Sequence, residues 1–194
     1  MMASSDDEQG TAILEAASKL LSEEGPSALT VRRIATEAGC STMGLYSRFG
    51  GKDGVVDQLY VQGFDQLCDA MSALPKTGDA LGDLRLCARS YRETALAHAT
   101  HYMVMFGGGV PGFEPTSTSK KVAHNAFDRL VAQVQRCIDD GIFRGDAPKL
   151  AEVLWGSMHG LVMLELVGVN PVGDDTGRRY ERTLDALFDG LKAN

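Results

Sequence analysis

Apolar residues recur along nearly the whole chain at three- and four-residue spacing, and no alternating period-two stretch of useful length interrupts them. The first stripe, Ile13, Ala16, Ala17, Leu20 and Leu21, predicts a helix over about residues 11–24, which Gly25-Pro26 ends. Two short patterns follow. Val31, Ile34, Ala35 and Ala38 form one, with Thr30 placed as its cap; Leu45 and Phe49, one turn apart, anchor the other behind Ser41. Gly39 between them supplies a left-handed stop, having no Cβ to clash there, and Gly50-Gly51 end the second helix. Two helices across a short glycine turn, buttressed by the helix before them, make a helix-turn-helix, whose second helix enters the DNA major groove.

A long stripe begins after Lys52: Val56, Leu59, Tyr60, Gly63, Phe64, Leu67, Met71 and Leu74, halted by Pro75. Such a helix would run ~33 Å, enough to join a small head to a separate body. Asp79 is placed to cap the next helix, with Leu81, Leu84, Cys87, Ala88, Tyr91, Ala95 and His98 on its stripe. A short apolar piece, Tyr102 to Phe106, precedes a loop over 107–115. Capping residues between Thr116 and Ser119 introduce a further helix that Gly141 ends. Asp146 and Pro148 open another over about 147–169, apolar nearly all round, so both of its sides must be covered. Asn170-Pro171 close it, Asp174-Asp175 open the last helix, and Tyr180, Leu184, Leu187, Phe188 and Leu191 make its stripe. The pattern predicts an all-α chain of about nine helices: a head over 1–51, with 1–9 as a disordered arm, and a body over 52–194.

Charge sharpens the reading of the head. Between residues 28 and 52, Arg32, Arg33, Arg48 and Lys52 face Glu37 alone, a net +3. The whole chain sums to −7, which leaves −10 elsewhere. A local cationic patch is what phosphate binding requires, and its size corresponds to about 2–4 phosphate contacts per subunit. Residue type alone equally fits an ordinary solvated face. A pI near 5.1 excludes a protein that coats nucleic acid along its length, but not a site-specific one. Cys40, Cys68, Cys87 and Cys137 have no paired spacing, so neither a zinc knuckle nor a redox pair is expected. Scattered thiols, a polar acidic N-terminus and no convincing membrane span point to a cytoplasmic protein.

Thr30-Val-Arg-Arg-Ile-Ala35, Ala38-Gly39, Leu45-Tyr-Ser-Arg-Phe49 and Gly51-Lys-Asp53 resemble the N-terminal signature of TetR-family transcriptional regulators. The likeness covers about residues 9–60 and is weaker beyond. It implies a dimeric helical regulator, usually a repressor, that binds a double-stranded operator and is released by a small-molecule effector. It also implies no enzyme activity and no cofactor. By resemblance and donor chemistry, Tyr46, Ser47, Arg48 and Lys52 would meet phosphates and Thr30 another; Ser41 joins the DNA-binding set, and Arg32 matches a family position that can reach a base. Thr42, Met43 and Gly44 occupy the exposed first turn, where Thr42 can bond a base or touch a thymine methyl and Met43 makes apolar contact. Gly44 has two readings: close approach to the groove floor, or relief of crowding against the first helix.

The stretch Leu154 to Glu165 is similar to the family helix that lines the effector pocket and dimerises. A two-fold four-helix bundle built from the last two helices of each chain would cover its apolar surface. Tyr91, Tyr102, Met105, Phe106, Phe127, Trp155, Met158 and His159 form the candidate effector pocket, a mixture of residue types that suits plain core equally well. Two other classes of protein stay open. Gly107-Gly-Gly-Val-Pro-Gly112 satisfies the dinucleotide fingerprint, though that mechanism needs a strand before it and a helix opening within it. A helical adaptor that binds a protein instead of DNA is the other. The four histidines do not form a metal site by spacing.

Overall fold

Nine α-helices and a single-turn 3-10 helix carry the described residues of the computed structural model, 5–106, 109–169 and 175–192, and no strand occurs among them. They are α1 (Ser5–Glu24), the 3-10 turn Pro26–Ala28, α2 (Val31–Glu37), α3 (Thr42–Phe49) and α4 (Lys52–Ser72). Then come α5 (Ala80–Ala97), α6 (Ala99–Met105), α7 (Ser117–Asp139), α8 (Ala147–Leu166) and α9 (Asp175–Leu191). Contacts divide the chain into two units, Met1–Asp65 with His98–Ala123, and Gln66–Ala97 with His124–Asn194. No helix among the described residues is long and apolar enough to cross a membrane.

In the first unit the caps act as their chemistry dictates. Thr30 accepts from the Arg33 amide at 3.3 Å, Ser41 accepts from the Gly44 amide at 3.0 Å, and Gly50 stops α3 with φ of 71°. The helix α1 starts at Ser5, so the arm expected over 1–9 is helical from Ser5 onward; residues 1–4 lie outside the described residues. Asp7 and Glu8 near its start suit the positive end of the helix dipole, and Gly10 is buried. Ile13, Ala17 and Leu20 of α1 are buried, as are Ile34 and Ala35 of α2 and Leu45 of α3; α1 packs on α2 and α6, and α2 on α3. The apolar piece before the loop is the helix α6, which begins at Ala99, earlier than Tyr102. It lies close on α4, because a methyl at Gly63 would fall 2.3 Å from the Met105 sulfur and 3.3 Å from the His101 Cβ.

Asp57 of α4 holds the start of α7. Its carboxylate accepts from the Thr116 amide at 2.9 Å, the Thr116 hydroxyl at 3.1 Å and the buried Ser119 hydroxyl at 2.7 Å. Thr116 in turn caps α7 by accepting from the Ser119 amide at 3.2 Å. Sequence spacing holds no sign of this link, since it spans about sixty residues.

In the second unit α5 packs on α8, and α8 on α9. Tyr180 is buried and donates to the Ala88 carbonyl at 2.7 Å, and the loss of water pushes its phenol well above the ordinary range. Arg85, Arg89 and Arg92 project from α5 at helical spacing and pair with Asp185, Glu181 and Glu165. The Arg92–Glu165 pair is forked, 3.0 and 2.7 Å, and the most shielded of the three. Within one chain α8 is not covered on all sides: Val153, Leu164, Val167 and Val169 stand exposed on or just beyond it, the apolar surface that a two-fold bundle was expected to cover. Asn170, Pro171 and Asp174 lie outside the described residues.

Asp83, buried in the first turn of α5, accepts from the Thr77 hydroxyl at 2.7 Å and the Thr77 amide at 3.0 Å, and pairs with Arg136 at 2.9 Å. The Thr77 hydroxyl, then Arg136 and the Thr77 amide, hold its carboxyl below the usual carboxylate range, against the opposing effect of burial. A lowered folded pKa gives stability that is complete above the unfolded value near ~3.9 and is lost as pH falls through the folded one. We expect Asp83→Asn to lower the urea midpoint at pH 7. The gap to the unmodified protein should narrow as pH is taken below 4, which parallel urea titrations at the two pH values will read.

Candidate nucleic-acid interface and ligand cavity

The exposed surface of α3 is made by Thr42, Met43, Tyr46 and Ser47, with Leu45 buried beneath. Met43 is 76% exposed and Tyr46 53%. Together they put apolar and aromatic surface on the outer face of a short helix, available for contact with a partner. The Tyr46 ring lies over Gly51, where an added Cβ would sit 3.4 Å from Cε1, and φ of 135° there disfavours any other residue. Ser41 uses an oxygen lone pair for its cap, which does not engage its hydroxyl proton. Thr30 is likewise exposed at the start of α2, and Arg32 is exposed one residue into it. Lys52 is half-buried at the start of α4, 3.5 Å from Asp53.

The cations of the head are not equivalent. Arg33 is held by Glu24 through a fork of 2.8 and 2.5 Å, and Glu37 is matched by Lys19 at 2.6 Å. Hydrogen bonding to Arg33 draws the Glu24 carboxyl down, and the bond to Glu37 raises the Lys19 ammonium. Arg33 is therefore paired with Glu24 while its side chain stays 46% exposed. Arg48 is half-buried and lies along α1, its Cδ and one terminal nitrogen 3.5 Å from the place a methyl on Gly10 would take. A methyl at Gly44 would meet the Ser41 oxygen at 3.4 Å and Gln9 Oε1 at 3.6 Å, ordinary contacts, so crowding by α1 does not require glycine.

Two residues escaped the sequence reading. Gln9 of α1 is exposed and reaches the first turn of α3, a proximity that no spacing within 28–52 signals. Gly54 is the second. A Cβ there would lie 1.8 Å from the Phe49 carbonyl oxygen, so its hydrogen is what lets α3 turn directly into α4. A glycine in the first turn of a helix was the one available signal, because its propensity is poor there.

The expected effector set divides between the two units. Tyr102, Met105 and Phe106 belong to α6 and its end, with Tyr102 buried against Phe106 at 4.7 Å and Phe106 edge-on to Phe64 at 5.6 Å. Met105 lines a cavity of about 340 Å³ in the first unit, with Tyr60, Val104, Val110, Phe113 and Pro115. In the second unit Trp155 donates to the Tyr91 hydroxyl at 3.2 Å and faces Phe127 at 5.9 Å and His159 at 6.0 Å, while Met158 is buried. Burial lowers the His159 pKa, which keeps the ring neutral at pH 7. The rings of His98 and His101 stand 6.2 Å apart, and no group of three or more metal-binding side chains occurs among the described residues. Gly107 and Gly108 lie outside the described residues; α6 ends before them at Met105 and α7 begins only at Ser117.

Residues 13–59 match the model of bacterial regulatory proteins of the tetR family, and residues 84–187, more than half of the chain, match the tetracyclin repressor-like C-terminal domain. The chain belongs to the TetR family. Its structure is similar to that of a Rhodococcus sp. RHA1 protein of unknown function, with a TM-score of 0.82 and 25% identity over 95% of this chain and 96% of that one. It is similar too to the TetR-family regulator PfmR of Thermus thermophilus (0.74, 20%, over 93% and 99%). A TetR-family regulator of Marinobacter aquaeolei is a third (0.72, 20%, over the whole of both chains). No curated protein matches. As a TetR-family member the chain is a DNA-binding transcriptional regulator of a dimerising, all-α kind.

Gly54→Ala must displace α3 from α4, so it should cost about 1–3 kcal/mol in chemical denaturation and weaken DNA retention with it. Gly44→Ala has room for its methyl and should gain up to about 1 kcal/mol from helix propensity. If the second variant gains stability and loses DNA affinity, the glycine serves close approach to the groove.

Proposed function

We propose that this TetR-family protein is a repressor that binds a pseudo-palindromic operator as a homodimer and leaves it when a small, mostly apolar effector binds. Residues 1–51 form the DNA-binding head and 52–194 the effector-binding and dimerising body. The observation that carries this reading is α3, whose outer face leaves Met43 and Tyr46 uncovered beside Thr42 and Ser47 on a capped, well-packed helix. Tyr46, Ser47, Lys52, Thr30 and Ser41 take phosphates, and Arg32 reaches toward a base. Arg48, lying along α1, positions α3 and contributes its charge from the side.

The exposed Val153, Leu164, Val167 and Val169 support a dimer through α8 and α9, where the partner supplies the missing cover. The cavity beside Met105 and Tyr60 supports an effector site, being walled by aromatic, sulfur and aliphatic side chains and within the range of small-ligand pockets. The Trp155, Tyr91 and His159 cluster supplies polar groups to the body. Effector and operator then weaken each other by equal factors, as linkage requires.

Recovery of genomic fragments on the purified protein, read for an inverted repeat, tests the central claim. Retention of no fragment at modest ionic strength refutes it. On the recovered operator, Lys52→Ala should weaken every sequence alike and flatten the salt dependence by about one unit, read from affinities at several salt concentrations. An unchanged slope would remove Lys52 from the phosphate contacts. A panel of small apolar compounds, followed by thermal melting, tests the effector site: a ligand at 100 times its Kd should add about 2.7 kcal/mol.

A further inference from the structure

The residues on the outer face of α3 restrict what kind of base edge it can read. In the major groove, guanine is recognised by the forked donors of Arg or Lys, adenine by the amides of Asn or Gln, and cytosine by a carboxylate. The helix Thr42–Phe49 has one side chain of these types, Arg48, and that one is half-buried along α1 at Gly10. Leu45 is buried and Phe49 half-buried. Thr42, Met43, Tyr46 and Ser47 remain, and in the first turn the longest reach belongs to Met43, with three-quarters of its surface exposed. The one apolar group on a base edge in that groove is the thymine methyl.

Resting on the operator reading above, we infer that Met43, with the methyl of Thr42 beside it, selects a thymine through its 5-methyl group. Recognition by Met43 is thus apolar contact, with no hydrogen bond of its own to a base. Met43 keeps three-quarters of its surface exposed beside Tyr46 and Ser47, its neighbours one turn on, so its thioether arm is open to the groove. An adenine contact, where the half-site has one, comes from Gln9 of α1, whose amide stands near this turn. Arg32 on α2 serves a different base.

Uracil differs from thymine only in lacking that methyl, which makes the test specific. Sites selected by the dimer from a random duplex pool give the half-site, and each of its thymines is then replaced in turn by deoxyuridine. At one or two positions the unmodified protein should lose about three- to fivefold in affinity, the effect of one methyl group. Met43→Ala should bind the thymine and uracil duplexes equally, and Met43→Leu should restore part of the difference. Because Met43 is exposed, both variants will fold. A half-site in which no methyl matters overturns the inference while leaving DNA binding intact, and so does a uracil penalty that persists in Met43→Ala. Selection of no sequence at all overturns the operator reading and this inference together. A Met43→Ala protein that binds every duplex as the unmodified one does also overturns it.

Discussion

The place of the recognition helix depends on a hydrogen. The Phe49 carbonyl oxygen at the end of α3 stands where a Cβ on Gly54 would be, and that contact lets one helix turn into the next across only Gly50 and Gly51. Gly50 takes the left-handed conformation that ends α3, and Gly51 leaves room for the Tyr46 ring. Three glycines in five residues are costly to helix propensity, and each here has a separate geometric reason. Ser41 at the other end closes the first turn, so α3 is fixed from both sides while its outer face stays bare.

Electrostatics acts by subtraction. The protein is acidic overall, and within the head two of the charges that define the cationic patch are occupied, Arg33 by Glu24 and Glu37 by Lys19. Exposed pairs of this kind add little stability, roughly 0–1 kcal/mol each, and lower the net charge of the patch without burying its side chains. In the second unit Arg85, Arg89 and Arg92 are paired in the same manner along α5.

Much was legible because it is local. Helix periods, the caps at Thr30, Ser41, Asp79 and Asp146, and the glycine stops depend on residues within one turn of one another; the four caps appear where the pattern predicts, while α6 begins earlier and α8 ends at Leu166 rather than near 169. The exposed first turn of α3 follows from the same rule, since Leu45 and Phe49 fix the face that is buried. The start of α1 was misplaced by six residues, because a polar acidic segment reads as unfolded unless Gly10 is known to be buried.

What required tertiary structure is whatever joins residues distant in sequence. No spacing rule connects Asp57 with Thr116 and Ser119, Gln9 with Gly44, or Asp83 with Arg136, although each pair shares a hydrogen bond or a close approach. The eight aromatic, sulfur and histidine residues expected to line one pocket illustrate the same limit. Residue type shows that they are apolar with polar tips, and only the fold divides them between two units. The sequence by itself determined which faces are apolar and where helices start and stop, because these follow from backbone geometry and nearest neighbours. Which charges are free, which glycines are obligatory and which side chains border a cavity was decided by packing, because each depends on an atom from elsewhere in the chain occupying or leaving a particular space.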